Sequence, residues 1–148
     1  MTNLGIELPA PPPVAGSYQT TKRHRDILYT SGHGPVKLDG SGLILGKVGG
    51  DLTLEEGQEA ARITTLGMLA SVKAEVDDLD NVVSILKVFG MVNGAPGFQQ
   101  QPAVLDSCSN LLIEVFGDEI GRCPRTAVGM AELPFNMAVE IEAIFAVR

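Results

Sequence analysis

The chain has 148 residues, of which 45% are hydrophobic and 20% charged, and its formal net charge is −7 at pH 7. This length and composition predict one globular domain with a single core and exclude a disordered chain. The acidic balance disfavours a nucleic-acid partner, and no apolar run approaches the roughly 20 residues that span a bilayer. We therefore expect a soluble, cytoplasmic protein that does not contact membranes.

Prolines dominate the N-terminal segment. Pro9 and Pro11–Pro13 predict an extended, polyproline-like arm, because proline locks φ and cannot donate a backbone hydrogen bond. We expect residues 1–15 to form this arm and residues 16–148 to form a single domain.

The first predicted strand is Asp26–Ser31, and it ends at the turn Gly32-His33-Gly34-Pro35. The basic residues just before it, Lys22–Arg25, are interpreted as a solvated hairpin turn. Glycine in the following turn lets a backbone amide face a ligand without interference from a Cβ atom. His33 is either a surface turn residue or a residue that lines a site.

The middle of the chain predicts two helices on either side of an apolar strand. Thr53 and Glu56 form a capping box, and the helix that follows is expected to run to about Glu75. The strand Asn81–Val92 is largely apolar on both faces and therefore needs a cover on both sides. One helical layer supplies only one cover, so another subunit is a candidate for the second.

The second helix is predicted from Phe98 to about Phe116, and two strands follow at residues 126–133 and 138–147. The order of elements predicts an α+β fold in which the helices are segregated over a mixed or antiparallel sheet. The last two strands are interpreted as a hairpin joined at Leu133–Asn136.

The C-terminal strands carry the strongest functional signal. Alternation along a strand places Glu140 and Glu142 on one face, about 7 Å apart. Their neighbours on that face are apolar, so at least one acid needs a partner or a raised pKa. Arg125 is either that partner, in a salt bridge that ties the hairpin together, or the anchor for a ligand carboxylate. In the second case Glu140 or Glu142 acts as a general base, and spacing alone favours the first.

The other reactive residue types are few. Tyr18 lies in a loop from which its phenol could reach a ligand, whereas Tyr29 is interpreted as a packing residue. Cys108 and Cys123 lack metal-ligand spacing and are expected to be reduced thiols, although Arg125 is close enough in sequence to lower the pKa of Cys123. With only two histidines in the chain, we expect no histidine-rich metal site and no conventional catalytic triad.

The chain resembles the RidA (YjgF-like) family of small trimeric imine deaminases from Gly16 to Val147. The resemblance is carried by an ordered set of short segments, each weak alone: Gly16-Ser-Tyr18, Leu28-Tyr-Thr-Ser-Gly32, Pro124-Arg-Thr-Ala-Val128, Leu133-Pro134 and Val139-Glu-Ile-Glu-Ala-Ile144. It implies a chorismate-mutase-like α+β fold, a mixed sheet with two helices packed on one face, and a homotrimer with clefts between subunits.

The resemblance also implies a reaction and a set of site residues. Arg125 would anchor the substrate carboxylate and Glu140 would position the hydrolytic water, while Tyr18, Ser31, Gly32 and the neighbouring His33 would bind substrate. The implied reaction is hydrolysis of a 2-imino acid, such as 2-iminopropanoate, to a 2-keto acid and ammonia without a cofactor. A non-catalytic binder of small carboxylates is the alternative, followed by the endoribonuclease or translation-inhibitor activity with which family members are often labelled.

The chain departs from the family pattern at several positions. His33 stands where typical members carry glutamine, and Ala127 replaces the common cysteine after the arginine. The asparagine that many members carry in the second helix has only rough counterparts here, in Asp106, Ser107 and Ser109. The region from Gly94 to Cys123 is also longer, and we expect it to reshape one wall of the cleft.

Overall fold

The computed structural model describes residues 4–148, so the first three residues of the predicted arm lie outside the described residues. The elements are five strands and two long helices: β1 Thr21–His24, β2 Ile27–Thr30, α1 Leu54–Val76, β3 Val82–Asn93, α2 Gln101–Gly121, β4 Arg125–Met130 and β5 Val139–Val147.

The strands form one mixed sheet in the order β1-β2-β5-β3-β4. All pairs are antiparallel except β3 and β4, which run parallel. Parallel neighbours need a long crossover, and α2 supplies it. Both helices pack on the same face of the sheet, which confirms the predicted α+β fold.

Both helix predictions are confirmed with small shifts at the ends. Thr53 caps α1, since its side chain accepts a hydrogen bond from the Glu56 amide at 3.1 Å. The second helix begins at Gln101 rather than Phe98, with Pro102 in its first turn, where proline costs no hydrogen bond. It also continues to Gly121, past a break at Gly117, whose φ is 80°.

The predicted C-terminal hairpin is wrong. β4 and β5 do not pair with each other, because β3 lies between them and pairs with both. The connection at Leu133–Asn136 crosses the end of β3 as a short turn in which Phe135 and Asn136 adopt positive φ values of 58° and 62°. A long apolar strand gains more by lying in the middle of the sheet, where it is paired on both sides, than at an edge.

The two faces of the sheet differ in cover. The face toward the helices is buried and includes the fully buried side chains of Leu28, Val88, Ile141 and Phe145. On the opposite face Tyr29 is 49% exposed, and Phe89 and Ile144 are partly buried. None of the elements within residues 4–148 covers this second face, so the predicted need for a second cover over β3 remains.

The arm is extended from Ile6 to Ala15 and lies along α1, where Leu8 packs against the core. β1 and β2 form the expected hairpin around Arg25, which has a φ of 56°. Neither of the long helices in the described part of the chain combines the length and apolarity that crossing a membrane requires.

Candidate functional site

A cavity of about 540 Å³ lies where the arm, the turn after β2 and the start of β5 meet. Five of the six predicted site residues line it: Tyr18, Ser31, Gly32, His33 and Glu140. They come from positions more than 100 residues apart in the chain. The sixth, Arg125, does not line this cavity.

The turn after β2 is held against β5 by backbone hydrogen bonds. The His33 amide donates to the carbonyl of Ile141 at 2.8 Å, and the Ile141 amide donates back at 3.0 Å. The Ser31 amide donates to the Thr20 carbonyl at 2.9 Å. Gly32 is therefore fixed directly beside Glu140.

Glycine is the only residue type that fits at position 32 without displacing the Glu140 side chain. A Cβ atom built at position 32 would lie 2.8 Å from the carboxyl carbon of Glu140 and 3.0 Å from its Oε1. The Gly32 amide donates no hydrogen bond to any residue within 4–148. The Glu140 carboxylate thus packs against a backbone segment whose Gly32 amide has no partner within residues 4–148.

The Glu140 carboxylate is partly buried, and no ion pair or hydrogen bond holds it within the described chain. Burial raises the pKa of Glu140 above its usual value, and the nearby Glu142 carboxylate raises it further. Glu142 shares the face of Glu140 but is exposed. A carboxylate with a raised pKa and open lone pairs is suited to take a proton from water.

His33 lies under the cavity and is only 4% exposed, so it is not a surface turn residue. Its Nδ1 lies 2.8 Å from the Ser31 carbonyl, which requires a proton on Nδ1, and its Nε2 then accepts from the Ser71 hydroxyl at 2.9 Å. Burial lowers the pKa of His33. Both ring nitrogens are engaged by the protein, so neither is free to bind a ligand.

Tyr18 and Ser31 supply further polar groups of the cavity wall, which also includes Thr20. The Tyr18 side chain is 48% exposed, and its hydroxyl accepts a hydrogen bond from the Ala15 amide at 3.4 Å. Its own proton stays available for a ligand. The Ser31 hydroxyl donates to the Gln19 carbonyl, so its oxygen can act toward a ligand only as an acceptor.

Arg125 stands at the first position of β4, on the opposite face of the sheet from Glu140. It is in register with Val88, which is buried under the helices, whereas Glu140 is in register with Met91 and Val128 on the uncovered face. Arg125 and Glu140 are two strands apart in the sheet and offset by three residues along the strands, so their Cα atoms lie roughly 14 Å apart. The predicted salt bridge between Arg125 and Glu140 is therefore wrong within one chain.

The partner of Arg125 is α2. Its Nη1 lies 2.8 Å from Asp106 Oδ1 and 3.1 Å from Ser109 Oγ. Its Nε and Nη2 make no hydrogen bond to a residue within 4–148, and together they form the edge that matches both oxygens of a carboxylate. Asp106 and Ser109, two of the three rough counterparts of the asparagine that many family members carry, thus contact Arg125. Both lie in the longer region from Gly94 to Cys123.

The two cysteines do not form a reactive centre. Arg125 lowers the pKa of Cys123, as its position in the sequence suggests, but burial raises the pKa by more. Cys108 is fully buried, with its pKa raised to about 11. No cluster of three or more His, Cys, Asp or Glu side chains suited to a metal ion occurs in residues 4–148.

Part of the cavity wall was not predicted from sequence. Pro12 and Pro13 of the arm line it, as do Leu43, Phe135 and Met137. A proline run and an exposed aromatic residue in a turn are the only local signals of this wall. Neither signal specifies a position near Glu140 without the fold.

Comparison with known proteins gives one family and several close relatives. Residues 1–146 match the model of the YjgF/chorismate mutase-like family, described as candidate endoribonucleases. Protein TCP17 of Trypanosoma cruzi is 40% identical over 144 residues, which cover 97% of this chain and 89% of TCP17.

Two solved structures share both sequence and fold with this chain. Atu1372 from Agrobacterium tumefaciens, a protein of unknown function, is 38% identical with a TM-score of 0.88, covering 99% of this chain and 89% of its own. A candidate endoribonuclease from Shewanella oneidensis is 30% identical with a TM-score of 0.92, covering 99% of this chain and 95% of its own.

Proposed function

This chain belongs to the YjgF/chorismate mutase-like family, and from that premise we propose that it is a deaminase that hydrolyses 2-imino acids to 2-keto acids and ammonia. The observation that carries the proposal is the contact between Glu140 and Gly32. It places a basic carboxylate beside an unpaired backbone donor in a cavity of about 540 Å³. Glu140 is the proposed catalytic residue, with Tyr18, Ser31, Gly32 and His33 as substrate-binding residues.

The reaction needs a base and a positioned electrophile. Glu140 accepts a proton from water as the water oxygen bonds to C2 of the imine. The same proton is then returned to the nitrogen, which gives a carbinolamine. The C–N bond breaks as the hydroxyl becomes the keto group, and the hydroxyl proton passes to the departing nitrogen, which leaves as ammonia. The imine is already reactive, so orientation and one proton transfer can supply much of the rate enhancement.

The substrate carboxylate needs a cation, and no lysine or arginine among residues 4–148 lines the cavity. Arg125 has a free carboxylate-binding edge, but it lies on the other face of the sheet from Glu140. We propose that the site forms between subunits of a homotrimer, with Arg125 from one copy and Glu140 from the next. The partly apolar and uncovered sheet face, with Tyr29 49% exposed, supports such an assembly.

The activity is tested by generating the imine with an amino-acid oxidase and trapping what remains with semicarbazide. We expect the wild-type chain to accelerate hydrolysis, and Arg125→Ala and Glu140→Gln each to abolish most of that acceleration. Equal rates for the wild type and Arg125→Ala would refute the deaminase assignment. Stabilisation by 2-keto acids without turnover would instead indicate a non-catalytic carboxylate binder.

The shared site is tested by mixing the two variants. In trimers assembled at random from equal amounts of Arg125→Ala and Glu140→Gln, roughly one quarter of the interfaces would combine an intact arginine with an intact glutamate. We therefore expect a mixture of two inactive proteins to regain roughly one quarter of wild-type activity after joint refolding. A site made within one chain would regain none, and each variant refolded alone serves as the control.

RNA cleavage is the third candidate, after the non-catalytic binder, because the family description and the Shewanella oneidensis relative both carry the endoribonuclease label. The net charge of −7 opposes it. Cleavage of RNA that weakens with added salt, and that Glu140→Gln leaves intact, would favour this candidate over the deaminase.

A further inference from the structure

A lysine lies among the apolar side chains of the uncovered sheet face. Lys87 on β3 shares this face with Phe89, because Val88 between them points toward the helices and side chains of a strand alternate. Lys87 is only partly exposed, and its Nζ donates a hydrogen bond to the Thr126 hydroxyl on β4 at 2.8 Å. An ammonium group has three donors, so two of them have no partner among residues 4–148.

A carboxylate stands on the same face, one strand away. Glu142 on β5 is in register with Phe89, and it is exposed. Lys87 and Glu142 line the same hollow in the sheet, together with Phe89 and Ile144. The two charged groups nevertheless form no ion pair, and Glu142 has no other ion-pair partner within residues 4–148.

Covering this face makes both charges costly. Contact with another protein surface removes water from the ammonium and the carboxylate, and each group then needs an oppositely charged partner. The two helices cannot supply one, because they pack on the other face of the sheet. A second copy of this chain supplies both partners, since its face carries the same cation and the same carboxylate.

The positions of the two charges agree with the direction in which the copies meet. The proposed shared site brings β4 of one copy, through Arg125, to β5 of the next, through Glu140. The Lys87 ammonium lies on the β4 side of its own strand, beside Thr126. Glu142 lies on β5, on the same face as Glu140. The cationic side of one copy therefore meets the acidic side of the next, as a head-to-tail ring requires.

We propose that Lys87 of one copy pairs with Glu142 of the next, so that the uncovered face is a docking surface for a second copy of this chain that is selected by charge. A closed ring of three chains contains this pair at each of its contacts. The inference rests on the proposed assembly and is independent of the proposed reaction.

Charge reversal tests the pair through assembly alone. Lys87→Glu places two carboxylates at each contact, and Glu142→Lys places two ammonium groups there. We expect each variant to raise the concentration at which the assembly half-dissociates by at least about 100-fold, measured by fluorescence-detected sedimentation over a dilution series. The double variant Lys87→Glu/Glu142→Lys restores opposite charges and should return this concentration to within about 10-fold of the wild type.

Mixing the two single variants separates a pair between copies from a pair within one chain. In a mixed trimer, each contact between unlike variants joins opposite charges, and two of the three contacts are of this kind. We therefore expect the mixture to assemble at concentrations where neither variant assembles alone. If the pair formed within one chain, the like charges would stay together whatever the neighbour, and mixing would change nothing.

The controls are Lys73→Glu and Glu59→Lys, which make the same charge changes at exposed positions of α1 and should leave assembly unchanged. If a single reversal prevents folding, judged by circular dichroism, recovery of a folded assembly in the double variant supports the pair and its absence overturns the pair.

The remaining outcomes separate this inference from the proposed function. Unchanged assembly in both single variants, or no gain on mixing them, would overturn the pair while leaving the deaminase assignment intact. A wild-type chain that assembles through this pair but hydrolyses no imine would support the pair and refute the deaminase. A wild-type chain that stays monomeric at all concentrations would overturn both the pair and the shared site.

Discussion

Replacing Gly32 by alanine tests directly whether Glu140 is the reactive carboxylate. The new Cβ atom would lie 2.8 Å from the Glu140 carboxyl carbon, whereas carbon atoms in contact stand about 3.5–4.0 Å apart. The carboxyl group must therefore move by roughly 0.7–1.2 Å. Because a misplacement of about 1 Å can cost on the order of 100-fold in rate, we expect kcat/KM for imine hydrolysis to fall by about that factor.

Stability should change little in the same variant. The displaced atoms are the end of a partly buried side chain, and Gly32 is not among the positive-φ glycines. We expect the free energy of unfolding to stay within about 1 kcal/mol of wild type, measured by urea denaturation. A large loss of stability together with a loss of rate would contradict a local effect on the carboxylate.

The control is Gly67→Ala in α1, where an added Cβ atom meets nothing within 4 Å. This change should raise stability by about 0.5–1 kcal/mol and leave the rate unchanged. In a Glu140→Gln background, Gly32→Ala should add no further loss, because both changes act on one group. A wild-type kcat/KM in Gly32→Ala, or an additive loss in the double variant, would refute the reasoning.

Three further measurements follow from individual contacts. Glu142→Gln should lower the pKa of Glu140 by removing a neighbouring charge, so the loss of kcat/KM at acidic pH should move to lower pH; an unmoved acidic limb would contradict the role of Glu140 as base. Burial lowers the pKa of His33 below 6.5, so as the pH falls the unfolded chain binds this proton at a higher pH than the folded chain does. The free energy of unfolding should therefore decrease as the pH falls from 6.5 through the folded pKa, and it should decrease less steeply in His33→Gln. Thr53→Ala should cost about 1 kcal/mol in urea denaturation by removing the cap of α1, and an unchanged midpoint would show that the cap contributes nothing.

Local chemistry explains which parts of the fold could be predicted. The cap at Thr53 and the apolar run of β3 depend on residues a few positions apart, and the capped helix and the strand are both confirmed. The pairing of β4 with β3 depends on a crossover through α2, which no local pattern reveals. The connection at Leu133–Asn136 therefore looked like a hairpin although the two strands that it joins are not neighbours.

The candidate site likewise has features that local sequence predicts and features that depend on how distant segments pair. The shared face of Glu140 and Glu142 follows from the period of a strand and is confirmed. Arg125 lies on the opposite face of the sheet from Glu140. This depends on the register of three strands and could not be predicted from the distance in sequence between the two residues. The burial of His33 depends on Ser71, which lies 38 residues away on α1.

The two edges of the sheet differ in how well they resist adding a foreign strand. β1 is four residues long and presents the exposed charges of Lys22 and Arg23, which discourage pairing with another chain. β4 carries no charge after Arg125, and its residues are mostly half-buried. When mild denaturant loosens the fold, aggregation should begin at β4, and Gly129→Lys at this exposed position should slow it.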